Sequence, residues 1–294
     1  MRLGVLILPD TSWPDNARRW RAAEDLGFDS AWTYDHLWWR SLSDGAWFAS
    51  VPVLAAAAAV TNRIRVGSMV ASPNLRHPAV LAKDAVSVND IAGGRFVLGV
   101  GAGSSGAGDA LAVDREPLTA RQRADRFDEF VALTDQLLRE PVTSHSGRFY
   151  AVTEARMRPS CRPPLAVAAS GPRGMALVAR YADAWITMGP TDWSRDHRPD
   201  ECLAVVSAQM DMLRDACVNV GRDVDSLDRI FVATSWAGDP LRSAGDCLAL
   251  AETYAKAGIT HLVVHWPRDS GVYAGDPAVL RDIATEALPR IHEL

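Results

Sequence analysis

Apolar positions along the chain fall into two alternating patterns. Short runs rich in β-branched and aromatic residues predict strands: LGVLIL (3–8), SAWTY (30–34), IRVGSMV (64–70), RFVLGV (95–100), LAVAA (165–169), AWIT (184–187), IFVATS (230–235) and HLVVH (261–265). Between them lie stretches of helical periodicity such as NARRWRAAEDLG (16–27), HPAVLAKDAVSVNDIAGG (77–94) and RADRFDEFVALTDQLLRE (123–140). Several close on glycine, which ends helices well, and Gly27, Gly93 and Gly258 each stand just before a new strand. Eight strand–helix units over this length predict an α/β fold, a (β/α)8 TIM barrel. A doubly wound sheet would use fewer strands.

One stretch breaks the alternation. PVTSHSGRFYAV (141–152), after the fourth helix, predicts an inserted β-hairpin turning at Ser146-Gly147, and an extended RMRPSCRPP (156–164) follows. No internal repeat, low-complexity tract or linker interrupts the pattern, so residues 1–294 are expected to form a single domain.

Composition narrows the function. A net charge of −5 argues against a nucleic-acid partner, since such domains carry a basic stripe. Cys161, Cys202, Cys217 and Cys247 are far apart and form no C-x-x-C pair, so neither a metal site nor a disulfide scaffold is expected. The apolar run VPVLAAAAAV (51–60) is well short of the roughly 20 residues a membrane span needs. A cytoplasmic enzyme acting on a small molecule is the expectation.

In a TIM barrel the residues just past the carboxyl end of each strand form the active-site rim. Asp35 and His36 follow the second strand, and histidine titrates near neutral pH, as proton transfer requires. Taken alone, the Asp-His step reads more readily as a helix cap beside a half-exposed imidazole. Gly101-Ala102-Gly103-Ser104-Ser105-Gly106 matches the dinucleotide pattern G-x-G-x-x-G, yet no helix opens there, and one is expected only near Thr119. What survives is a glycine-rich exit that admits a flat ligand or a phosphate. After the fifth of the eight predicted strands, Ser170-Gly171-Pro172 begins a helix, which with nearby Arg173 reads equally as a phosphate seat or an ordinary cap. Small residues around Met69 and Val70 allow an unusual peptide against a planar ligand, and His77 before Pro78 is expected to be structural. Trp20, Trp32 and Trp185 fall at core positions; Trp38, Trp39, Trp193, Trp236, Trp266 and His265 all follow or end strands and are candidate pocket walls.

These segments together resemble the luciferase-like flavin-dependent oxidoreductases, and within them the branch that uses the deazaflavin coenzyme F420. The resemblance rests on WTYDHLWW (32–39), RVGSMVASPNLRHPAVLAKDA (65–85), DIAGGRFVLGVGAG (90–103), the helix of 123–138 with PVTSHSGRFY (141–150), and AVAASGPRGMALVARYADAWIT (166–187). It implies a cofactor lying across the barrel mouth, with Asp35 contacting the deazaflavin and His36 near its reactive face. A non-proline cis peptide at Met69–Val70 would back the rings, Gly101, Ala102, Gly103 and Ser104 would line them, and Ala168, Ala169, Ser170 and Gly171 would run beside the phosphate-bearing tail. Trp38, Trp39, Trp193 and His265 would meet the substrate, and a homodimer is implied.

The resemblance also carries a departure. Some relatives that dehydrogenate a sugar phosphate have a glutamate where this chain has Ser104, and a hydroxyl cannot stand in for a carboxylate as a proton donor near neutral pH. A reductase using reduced F420, or a dehydrogenase of another substrate, is the expected activity. An FMN-dependent monooxygenase on the same barrel, or a non-catalytic flavin-binding protein, are the alternatives.

Overall fold

A computed structural model describes residues 1–103, 112–113 and 118–294. Its order is β1 (Arg2–Leu6), α1 (Trp13–Asp25), β2 (Ser30–Thr33), α2 (Ser50–Val60), β3 (Arg65–Ser68), α3 (Pro78–Ile91), β4 (Phe96–Val100) and α4 (Ala120–Arg139). A hairpin, β5 (Val142–Ser146) and β6 (Ala151–Arg156), leads into β7 (Leu165–Ala168), α5 (Pro172–Tyr181), β8 (Ala184–Thr187) and α6 (Pro199–Asn219). Then come β9 (Asp228–Val232), α7 (Ala244–Lys256), β10 (His261–His265), α8 (Val279–Asp282) and, past a π-helical turn at Ile283–Ala287, α9 (Leu288–His292).

The parallel strands close in the order β1-β10-β9-β8-β7-β4-β3-β2, the expected TIM barrel, while β5 and β6 pair only with each other. Register is continuous around the ring: Leu6 stands opposite His265 at the β1–β10 seam, and Thr33 opposite Ser68 between β2 and β3. Side chains alternate across each strand. One set, including Leu6, Trp32, Met69, Val97, Ile186, Val232 and Val263, fills the barrel. The other set, including Val5, Ala31, Val66, Leu98 and Phe231, packs on the surrounding helices.

Trp32 fits inside because β3 offers no side chain opposite it. A Cβ on Gly67 would lie 2.3 Å from the indole. At the floor, the Trp32 indole N–H donates to Ser30 Oγ at 2.7 Å, and Ser30 Oγ lies 2.8 Å from His261 Nε2. Burial holds His261 well below the usual histidine range, with Arg2 and Arg65 adding to the effect.

Helix ends follow the expected chemistry. Thr119 and Gln122 form a reciprocal capping box that starts α4, and Gly27, Gly93 and Gly258 all take positive φ. His77 is structural, its ring Nδ1 accepting the Ala79 N–H at 3.2 Å to cap α3. The hairpin is seated on α4 by the Glu129 carboxylate, which accepts N–H bonds from Arg148, Phe149 and Tyr150. Burial pushes that carboxyl up, and these backbone bonds, with one to His145, more than offset it, holding it below its ordinary value. The fold differs from expectation at β9, which ends at Val232 because Ser235–Ala237 turns into a 3-10 helix that buries Trp236.

Among the described residues no helix is long and apolar enough to cross a membrane, and no cluster of His, Cys, Asp and Glu could hold a metal ion.

Candidate active site

The β2 exit is built by the alternation of its strand. Trp32 and Tyr34 point into the barrel, and Ala31 and Asp35 point toward α2 and α3. Asp35 is 3% exposed, with both carboxylate oxygens occupied. Arg76 donates Nε–H to Oδ2 at 2.9 Å and Nη2–H to Oδ1 at 2.6 Å, and Ser50 donates its hydroxyl to Oδ1 at 2.6 Å. That hydrogen bonding is the main cause raising the Arg76 guanidinium above its ordinary value. Burial pushes the neighbouring Asp84 carboxyl up, against the pull of Arg76. The Asp35 carboxylate therefore sits in the wall between strand and helices, bonded to Arg76 and Ser50.

His36 takes the opposite course. Its imidazole is half-buried and edge-on to the Tyr34 ring, with centroids 6.2 Å apart. Trp47 donates its indole N–H to the His36 carbonyl at 2.9 Å, which ties the loop backbone in place.

Around this histidine the mouth is walled by aromatic rings. The Tyr34 hydroxyl lies 2.8 Å from His265 Nε2, His265 stacks on Tyr273 at 3.6 Å, and Tyr34 stacks on Trp39 at 5.6 Å. Burial lowers His265 to about 3 and raises both phenols, so all three groups are neutral near pH 7. On the β8 side Trp193 packs on Trp236 at 4.2 Å, and His197 meets Trp236 edge-on. The Arg40 guanidinium lies 5.0 Å from the Trp39 ring and 4.1 Å from the Trp193 ring, so it joins the two sides. Trp39, Trp193 and His265 thus come together as wall residues. Trp38 is half-buried and, among the described residues, joins no ring stack; Trp266 packs instead in the outer shell.

The exits of β3 and β4 form the next wall. The peptide bond Met69–Val70 is cis, as the resemblance implies. Ala71 donates to the Gly99 carbonyl at 2.8 Å and Gly101 to the Ala71 carbonyl at 2.9 Å. This approach requires glycine: a Cβ on Gly99 would lie 2.0 Å from the Ser68 carbonyl oxygen, and one on Gly101 would lie 2.5 Å from Val70 Cγ2. Ala102 and Gly103 continue this edge half-buried, and Ser104 lies outside the described residues.

Beyond β7, Ala168 and Ala169 are half-buried, Ser170 is exposed, and Gly171 caps α5 with no side chain bonded to the first N–H groups. A Cβ on Gly171 would meet nothing within 4 Å, so the helix start is open to an incoming group. Arg173 does not complete an anion seat, because Asp125 and Asp128 hold its guanidinium. At the β9 exit the buried Thr234 Oγ1 has no hydrogen-bond partner among the described residues, a polar atom suited to a ligand. An open helix start, an unpaired hydroxyl and an apolar, glycine-edged mouth fit a flat cofactor with an anionic tail.

Arg40, Ser50, Arg76, Trp47 and Tyr273 carry no signal in the sequence that marks them as site residues. Tyr34 does, since it shares the inward parity of Trp32.

Residues 1–201 match the luciferase-like monooxygenase family. The chain is 30% identical to an F420-dependent glucose-6-phosphate dehydrogenase of Beutenbergia cavernae, over 92% of this chain and 90% of that protein. It is 28% identical to a 5,10-methylenetetrahydromethanopterin reductase of Archaeoglobus fulgidus, over 82% and 71% of the two. An F420-dependent secondary alcohol dehydrogenase, solved with an F420–acetone adduct, shares the fold with a TM-score of 0.81 at 17% identity, covering 99% of this chain and 98% of its own. By the match over its first two-thirds and its likeness to these enzymes, this chain belongs to the luciferase-like monooxygenase family.

Proposed function

We propose that the protein is a coenzyme F420-dependent oxidoreductase, a reductase or dehydrogenase of a small organic substrate. The observation that carries this reading is the half-buried His36 imidazole beside an apolar, glycine-edged mouth. The chain around it aligns over nine-tenths of its length with an F420-dependent dehydrogenase.

Met69, Val70, Gly101, Ala102 and Gly103 would line the ring system, and Ala168 to Gly171 would run beside the tail at the open start of α5. When bound, F420 supplies the carbon, C5, that gives or takes the hydride; the chain supplies placement and proton management. His36 holds or takes the proton at the substrate oxygen, contributing about 10²–10⁴-fold in rate. Asp35 serves the site by fixing the β2 exit through Arg76 and Ser50; a direct ring contact would require it to exchange one of those partners. Trp39, Trp193 and His265, with Trp38 at the loop, wall an apolar substrate. Ser104 in place of a glutamate favours a substrate other than a sugar phosphate. The assembly proposed is a homodimer, which a light-scattering mass equal to one chain would overturn.

Fluorescence titration with F420 and with FMN tests the cofactor. Tight FMN binding without F420 affinity would favour a monooxygenase instead. A substrate panel run with oxidised and reduced F420 then tests catalysis, and no turnover on any member would favour a non-catalytic flavin-binding role. His36→Ala is expected to keep F420 binding and lose the rate factor above; unchanged turnover would remove the proton role.

A further inference from the structure

Three non-glycine residues of the described chain adopt positive φ: Arg40 at 43°, Glu154 at 46° and Tyr273 at 61°. Glu154 belongs to the hairpin, but the other two both pack on Trp39 at the barrel mouth. Side chains adopt this region rarely, and persist there where their surroundings hold them. Tyr273 is held by stacking on His265 and a tilted contact with Trp39, and Arg40 by the Trp39 and Trp193 rings its guanidinium lies over.

Other arginines near the rim are neutralised. Asp10 takes Arg268, Asp35 takes Arg76, Asp125 and Asp128 take Arg173, and Glu201 takes Arg195. Arg40 is different. Among the described residues its guanidinium has no carboxylate or carbonyl partner, and its contacts are to ring faces. A guanidinium stacked on rings keeps its N–H edges free, and those edges match the two coplanar oxygens of a carboxylate. The chain as a whole is acidic, so this cation is not part of a general basic surface. Its charge reaches the buried phenols: burial raises both Tyr34 and Tyr273, and Arg40 opposes that rise.

We infer that the substrate carries a carboxylate on an apolar or ring-bearing body, and that Arg40, held between Trp39 and Trp193, is the residue that reads the carboxylate. The inference rests on the oxidoreductase reading above and adds its substrate class. The reacting carbon then lies on the His36 side of the aromatic wall, and the acid lies at the rim, where water can leave it last.

The test compares wild type, Arg40→Met and Arg40→Lys, each loaded with F420. Phenylbutanoate, the uncharged phenylbutanamide and phenylpropyl phosphate are titrated by calorimetry, and F420 affinity is measured separately by fluorescence. Wild type is expected to prefer phenylbutanoate over the amide by about ten-fold or more, the size of a charge-assisted hydrogen bond. Arg40→Met should abolish that preference with amide and F420 binding unchanged, and Arg40→Lys should keep part of it. Equal binding of acid and amide by wild type, or a preference that survives Arg40→Met, overturns the proposal. Stronger binding of the phosphate than the carboxylate overturns the carboxylate assignment. A loss of F420 affinity in Arg40→Met assigns Arg40 to the cofactor tail and also overturns it. If wild type fails to bind F420, the oxidoreductase reading fails, and the same titrations on the free protein still decide whether Arg40 reads carboxylates.

Discussion

Replacing Arg76 with alanine removes both donors that hold Asp35 from the α3 side while leaving the Ser50 hydroxyl in place. The Asp35 side chain is 3% exposed and that of Arg76 is 23% exposed, so the pair is buried on one side and reached by water on the other. Stripping one partner from a buried pair costs about 3–5 kcal/mol, because the remaining charge is left without compensation. Water access along Arg76 and the retained Ser50 bond place this case near the lower bound, at about 3 kcal/mol. Urea unfolding of wild type, Arg76→Ala, Asp35→Asn and the double variant measures it. The cycle should give a coupling of about 2 kcal/mol, since each residue is the other's main partner. A cost for Arg76→Ala below about 1 kcal/mol, or a coupling near zero, would refute the reasoning that Asp35 is fixed by this pair.

His261 and His265 are both kept neutral by burial, so their folded-state values lie below those of the unfolded chain. The stability they contribute is complete above pH of about 6.5 and is lost as the pH falls, for His265 down to about 3, at up to about 1.4 kcal/mol per pH unit for each. Unfolding free energies that stay level between pH 6 and pH 5 would contradict this. Tyr34→Phe should cost about 1–3 kcal/mol, because it leaves His265 Nε2 buried without its 2.8 Å partner, and an unchanged melting temperature would count against that bond. Gly99→Ala should destabilise by about 2 kcal/mol or more, since its methyl group would meet backbone that has no room to yield; thermal unfolding within error of wild type would show that β3 can move aside.

The barrel was legible because its evidence is redundant. Buried parallel strands appear as unbroken apolar runs, glycine marks several helix ends, and eight such units leave few other topologies. The hairpin was legible from its turn, and the α4 start from its place near Thr119. The site was legible only in part, because side-chain direction near a strand end depends on parity, and partner choice depends on contacts distant in sequence. Asp35 and His36 are neighbours in the chain, yet an extended backbone sends them to opposite sides. Arg76 is 41 residues from Asp35, and no local pattern joins them. Loops 188–198 and 266–276 carry no periodicity, and from them come Trp193, His197 and Tyr273.

The barrel interior is an apolar column with a polar pair at each end, Ser30 with His261 at the floor and Tyr34 with His265 at the mouth. Packed side chains between the pairs leave, among the described residues, no chain of hydrogen bonds running down the axis. In the proton role proposed for it, His36 would therefore be served from one side. A half-buried imidazole at the mouth would then trade its proton with bulk water there and not through the barrel floor.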